Sequence, residues 1–323
     1  MRFTHIYVEE RASGHKLTGK ILEQHPEAVV IPIKHYKDVF DRKRQVISEQ
    51  KKSRTLILAV RDGNRIFKGA PVCQSFGHQN FYYASSVMNC PFDCEYCYLK
   101  GMYPSGYMVV FVNLEDYWND VEEKLKEGPM YICASFDTDI LGMWSTTMHA
   151  EFWIDVAKAH EDVLIELRTK WAFAGDPVPN VIYAYTLSPK EVIRKYEHFT
   201  ADLNSRLTAA ANAIDKGANV RLCFDPIIKI PDWKNAYKEL IEETASGIDF
   251  GKLTDVSVGT FRISSDYLNK MRRAYPDSEI AWYPYVIKDG VAQYEPETDK
   301  AMQDHVCALL EKHIGREKIF TWN

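Results

Sequence analysis

Cys90, Cys94 and Cys97 lie within eight residues, in Asn89-Cys90-Pro91-Phe92-Asp93-Cys94-Glu95-Tyr96-Cys97-Tyr98. The spacing is C-x3-C-x2-C. Three thiolates so placed can hold three irons of a [4Fe–4S] cluster, because soft sulfur suits iron–sulfur chemistry. The fourth iron then lacks a protein ligand, and S-adenosylmethionine can chelate it through its amino and carboxylate groups. One-electron reduction of that sulfonium yields a 5'-deoxyadenosyl radical. The cofactors carry such chemistry, and the protein supplies position and exclusion.

Two other uses of clustered cysteines fit less well. A structural zinc site wants a fourth ligand at short range. No His or Cys occurs within twenty residues after Cys97, and His78 is the one nearby candidate before Cys90. A disulfide framework suits a secreted chain, yet no signal peptide is read here and seven cysteines in 323 residues is a low density. The expected home is the reducing cytoplasm. No apolar run is long enough for a membrane helix, so no membrane partner is expected. The formal net charge of −5 argues against strong non-specific binding to nucleic acid, which depends on neutralising phosphates.

The elements that must position the thiols alternate. Strand-like runs are read at 56–61, 81–88, 107–112, 130–136, 163–167, 181–186, 220–224 and 255–261. Helical spacing is read at 114–125, with Asn113 as N-cap, and at 148–160, 207–216, 233–244 and 265–275. From about residue 80 onward this is a βα repeat with short connections, which implies a parallel sheet. The predicted fold is α/β, with a partial (β/α)6 barrel over 81–275. An α/β extension covers 1–80, and a hairpin plus helix covers 276–323, with the helix near 300–313 and a turn at Asp289-Gly290. Functional residues in such folds sit at the C-terminal ends of strands, where the cysteine loop also falls.

The loop Cys94-Glu95-Tyr96-Cys97-Tyr98-Leu99 resembles that of the spore photoproduct lyase family of radical S-adenosylmethionine enzymes. The resemblance extends to Ile6-Tyr7-Val8-Glu9, Thr55 to Arg61, Val112-Asn113-Leu114, Thr138 to Gly142, Thr169-Lys170, Ser205-Arg206-Leu207 and Thr260-Phe261-Arg262. It covers roughly residues 5–275 and is much weaker beyond. It implies DNA repair chemistry: a radical opens a thymine lesion, and a product radical is then quenched by a hydrogen atom. The implied cofactors are a [4Fe–4S] cluster on Cys90, Cys94 and Cys97 and S-adenosyl-L-methionine. The implied partners are thymine-containing DNA or a nucleoside, and an electron donor such as flavodoxin or ferredoxin. An alternative reading is a divergent enzyme acting on a substrate other than DNA. A zinc-stabilised binding protein is a third.

In the family a cysteine three residues before the Asp of a Cys-Thr-Ser-Asp motif donates the hydrogen. Here Phe136 holds that position, three before Asp139. Tyr96 and Tyr98 match the family's tyrosines. Cys133 is the candidate replacement thiol, but strand alternation would put it on the face opposite Phe136, which leaves another donor such as Tyr98, or a different radical reaction, as the expectation. Cys223 is a second candidate thiol, and Cys73 and Cys307 read as structural. The resemblance also implies that Asp139 and Lys170 bind the methionine end of the cofactor. Ser188 and Thr186 would meet its ribose, and Arg206 or Arg262 would meet a carboxylate or phosphate. The stretch 281–294, where the family carries a DNA-entering basic hairpin, has one cation, Lys288.

Overall fold

The computed structural model describes residues 2–70 and 73–322. Its centre is six parallel strands: β1 (Phe81–Ala84), β2 (Met130–Cys133), β3 (Val163–Thr169), β4 (Val181–Thr186), β5 (Asn219–Ile227) and β6 (Asp255–Thr260). They lie side by side in chain order, as in the expected six-stranded partial barrel. Two further strands extend the sheet. Ile66–Lys68 runs antiparallel to β1, and β7 (Ile319–Thr321) runs parallel to β6. The sequence reading did not contain β7.

Alternation along each strand divides the two faces. Ile132, Leu167, Tyr183, Tyr185, Leu222 and Val258 belong to one large apolar core with Trp153 of the helix His149–Ala159. The residues between them carry the chemistry: Tyr131 and Cys133, Glu166 and Arg168, Arg221, Cys223 and Asp225, Asp255 and Ser257. Arg221 Nη1 donates to Tyr131 Oη at 2.7 Å, although β2 and β5 have two strands between them. In a flat sheet their backbones would stand about 14 Å apart, at roughly 4.8 Å per strand. The sheet is therefore curled, and this second face lines a lumen.

One expected strand belongs elsewhere. Met108–Phe111 pairs with Thr55–Ala59 in a five-stranded sheet that also holds Val29–Ile33, His5–Glu9 and Val87–Met88. Sheet membership thus crosses residue 80 in both directions, since Ile66–Lys68 joins the barrel. A strand buried on both faces carries no alternation that would assign it to a sheet. The run expected as one strand over 81–88 breaks at Ser85-Ser86, and its two halves join different sheets.

Helix ends differ for local reasons. The alanine-rich helix spans Leu203–Asp215 and begins at Asp202, whose carboxylate accepts the Ser205 N–H at 2.8 Å. Asn113 caps no helix with its side chain. Its amide instead pairs with the Arg61 backbone N–H and C=O at 2.9 and 3.1 Å. The last long helix is Pro296–Leu310, starting earlier than expected because proline suits a first turn. The expected hairpin is present, with Val286–Lys288 paired to Val291–Gln293. Its turn residues Asp289 and Gly290 both have positive φ, 50° and 78°. Among the described residues no helix is long and apolar enough to cross a membrane.

Candidate active site at the barrel mouth

The cysteine loop is shaped by backbone bonds, independently of its thiols. Asn89, at φ 66°, donates its amide to the Ser105 and Tyr107 carbonyls at 2.8 and 2.6 Å. Lys51 Nζ holds the Cys90 carbonyl at 2.8 Å. Asp93 and Cys94 form a short antiparallel ladder with Glu197 and His198. All three thiols are free. Cys90 and Cys97 line one cavity with Asn89, Phe92, Leu99 and Lys100. Burial pushes the Cys94 thiol up to about 12 and Cys90 well up, and the neighbouring Cys97 raises both further. Thiolates there need a compensating positive core. Among the described residues no set of three or more His, Cys, Asp or Glu side chains is gathered to hold one metal ion. A cubane does not require that, because each thiolate takes its own iron. The donor set of three soft ligands on one loop fits such a cluster. His78, the candidate fourth ligand nearest in sequence, stacks on Tyr131 at 4.8 Å, among the lumen side chains.

Four of the expected site residues converge on a residue that sequence reasoning missed. Glu197 is completely buried. Its carboxylate accepts from Ser188 Oγ at 2.7 Å, Lys170 Nζ at 3.0 Å, Tyr96 Oη, and Arg206 Nη2 at 2.5 Å. Burial alone would raise its pKa, but Lys170 and Arg206 outweigh that and hold it well below the usual carboxylate range. This changes the expected roles. Arg206 is fully buried and also donates to the Ala201 and Thr186 carbonyls, both at 2.9 Å, and to Thr200. It is a clamp inside the protein, its guanidinium engaged by four partners of the chain itself. Ser188 is equally committed to Glu197. Lys170 also donates to Tyr96 Oη at 2.5 Å and remains partly open.

Asp139 is committed as well. It accepts from Gly142 N, Thr169 Oγ1 and Lys170 N at 2.7–2.9 Å, which ties the loop after β2 to the end of β3. It sets the direction of Lys170 and stands close enough to Cys90 to raise that thiol. Thr186 lies buried at the end of β4, beside Cys223 of β5 in register. Tyr98 donates its hydroxyl to the Phe136 carbonyl. Burial raises the Tyr98 phenol well above its ordinary range, with Asp137, Cys97 and Cys133 adding to the shift.

The expected opposition of Cys133 and Phe136 does not occur. Strand β2 ends at Cys133 and the chain turns over Ala134 and Ser135, so alternation no longer applies at Phe136. Phe136 packs against the same lumen cluster as Cys133 and Tyr131, and stacks on Tyr83 at 4.2 Å. Cys133 Sγ lies 3.6 Å from Glu166 Oε1, facing the lumen. Arg262 lies over the Trp322 ring at 4.8 Å.

The family model for spore photoproduct lyase matches residues 4–282, which include the whole cysteine loop and all six barrel strands. The chain belongs to the spore photoproduct lyase family. A spore photoproduct lyase of Clostridium acetobutylicum is 23% identical over 212 residues, and one of Geobacillus sp. is 25% identical over 212 residues. Those alignments cover 62% of this chain, and 62% and 60% of the two relatives. Among solved structures, a spore photoproduct lyase double mutant with bound AdoMet and dinucleoside spore photoproduct superposes with a TM-score of 0.83. That match has 19% identity and covers 99% of this chain and 98% of that one. A spore photoproduct lyase complexed with the dinucleoside gives 0.81 at the same identity and coverage. At this identity the likeness establishes the fold alone.

Proposed function

We propose that this chain is a radical S-adenosylmethionine lyase that repairs a thymine lesion of the spore photoproduct type. The observation that carries the reading is the three-thiol, two-tyrosine loop at the mouth of a polar lumen, inside the segment that matches the family. A [4Fe–4S] cluster on Cys90, Cys94 and Cys97 with S-adenosylmethionine on its open iron would supply reductive formation of a 5'-deoxyadenosyl radical. An external one-electron donor of the flavodoxin or ferredoxin class would feed it. Lys170, aimed by Asp139 and Glu197, is the partly open cation beside the loop that suits the cofactor's carboxylate.

Cys133 is the thiol that fits hydrogen return. It faces the lumen, and burial pushes its pKa well up, with Glu166 adding to the shift, so it keeps its S–H at neutral pH. Transfer breaks that S–H and forms a C–H bond on the product radical. The Tyr98 O–H, held at the Phe136 carbonyl, would restore the thiol, and the phenoxyl left on Tyr98 would be reduced by an electron from the external donor and a proton. In the Cys133→Ala protein, cofactor cleavage should continue while thymine yield falls by about tenfold or more, equivalent to about 1.4 kcal/mol in the barrier. Unchanged thymine yield would transfer the role to Cys223 or Tyr98.

The test of the function is anaerobic reaction of reconstituted protein with S-adenosylmethionine and the dinucleoside lesion, followed by mass spectrometry. Thymine and 5'-deoxyadenosine are expected together. Cofactor cleavage without any thymine product would favour the second reading, an enzyme for a substrate other than DNA. The single cation in 281–294 is what supports that reading.

A further inference from the structure

Resting on that reading of the site, we infer that Arg168 anchors a neutral pyrimidine ring in the lumen by donating to one of its carbonyl oxygens. Arg168 lies one residue before the end of β3. Its Nε donates to Glu166 Oε1 at 3.1 Å, and its Nη1 to both oxygens of Asp225 at 3.2 and 3.3 Å. Nη2 has no hydrogen-bond partner among the described residues, and 24% of the side chain is open. A guanidinium held at Nε and Nη1 has fixed the direction of its two remaining N–H groups. The two N–H groups of Nη2 diverge, and the partly open side of the guanidinium leaves one of them for a ligand.

The support behind Arg168 is built in depth. Asp225 accepts from Ser257 Oγ at 2.9 Å and from the Trp322 indole N–H at 2.8 Å. Trp322 is seated against Gly259, where a Cβ would stand 2.6 Å from its ring. Charge then selects the ligand. Within this network Arg168 and Arg221 face Glu166, Asp225 and Asp255, and Arg262 stands over Trp322 near Asp225, so three guanidiniums already match three carboxylates. An anionic group would upset that match, whereas a neutral carbonyl oxygen accepts one Nη2 N–H and leaves it unchanged. Thymine-type rings present two such oxygens. The position suits the reaction too, since Glu166 Oε1 is shared by the Arg168 guanidinium and the Cys133 thiol. A ring held by Arg168 lies beside Cys133.

The experiment is equilibrium binding to the unreduced holoenzyme with S-adenosylmethionine present. The ligands are the dinucleoside lesion, which has no phosphate, and the corresponding phosphodiester-linked dinucleotide. Arg168→Lys keeps the charge but removes the fork, and should weaken both ligands alike by about 10–100-fold, as for a lost hydrogen bond to a charged group. Trp322→Phe removes only the indole donor that positions Asp225. It should weaken binding several-fold, and it keeps the test open if Arg168→Lys misfolds. Wild-type affinity in both variants, or a loss confined to the phosphodiester ligand, overturns the assignment. Wild-type protein that binds neither lesion sinks the repair reading and this anchor together. Wild-type protein that binds both, with unchanged variants, sinks the anchor alone.

Discussion

The Cys97→Ala protein is expected to fold, to lack an intact cluster and to form no 5'-deoxyadenosine. Three thiolates are the minimum that leaves one iron open while the other three are held. Losing one leaves two irons open, so specific binding of the cofactor at a single corner is lost. Cys90→Ala and Cys94→Ala should behave alike. Folding should survive because the loop is tied by Lys51, Asn89 and the short ladder to Glu197 and His198, none of which uses sulfur. Iron content, the visible spectrum and chromatographic assay for 5'-deoxyadenosine make the measurement. Normal iron and cofactor cleavage in the Cys97→Ala protein would refute the ligand assignment.

Glu197→Ala should be the most destabilising single change at the site. It leaves Arg206 buried, and Lys170 largely so, with no counter-charge, which typically costs about 3–5 kcal/mol. Denaturant unfolding of the apo protein measures it, free of any effect on catalysis. Glu197→Gln, which keeps the shape but not the charge, should fall between. A pH dependence follows from the same pair of cations. The folded carboxyl titrates well below its ordinary range, so its contribution is full above the unfolded value of about 4.3. It is lost as pH falls from there toward the folded value. Glu166, held down to about 2 by Arg168 and Arg221 against its burial, titrates in the same direction. Wild-type stability should therefore drop steeply below about pH 4.3, and the Glu197→Ala protein should drop less steeply. Parallel pH curves for the two proteins would show that Glu197 is not the buried charge described.

The partners of Glu197 were readable as candidates, but their common centre was not. Tyr96, Lys170, Ser188 and Arg206 each sit at a strand end, a loop or a helix start that the repeat pattern marks. Glu197 sits in Arg-Lys-Tyr-Glu-His-Phe with no local signal, and its importance comes wholly from residues 9 to 101 positions away. Arg168 did leave a trace. Glu166 and Arg168 fall at alternate positions in β3, with Lys170 just past its end, and Arg221 and Asp225 share that face in β5. Charges at period two inside a strand covered on both sides imply a polar lumen, because an unpaired buried charge is too costly to keep.

The thiol loop, the βα repeat and the hairpin turn at Asp289-Gly290 were determined by sequence alone, since each is local. Three ligands within eight residues, an alternation of periods and a turn needing two positive φ values are all written in neighbouring positions. Tertiary structure alone decided which sheet received Met108–Phe111, because that strand is apolar on both faces and would suit either. It alone placed β7 and Trp322 against the barrel, since three residues of strand carry no pattern of their own. It also put Cys133 and Phe136 in one cluster, because the strand ends between them and alternation holds only while a strand continues.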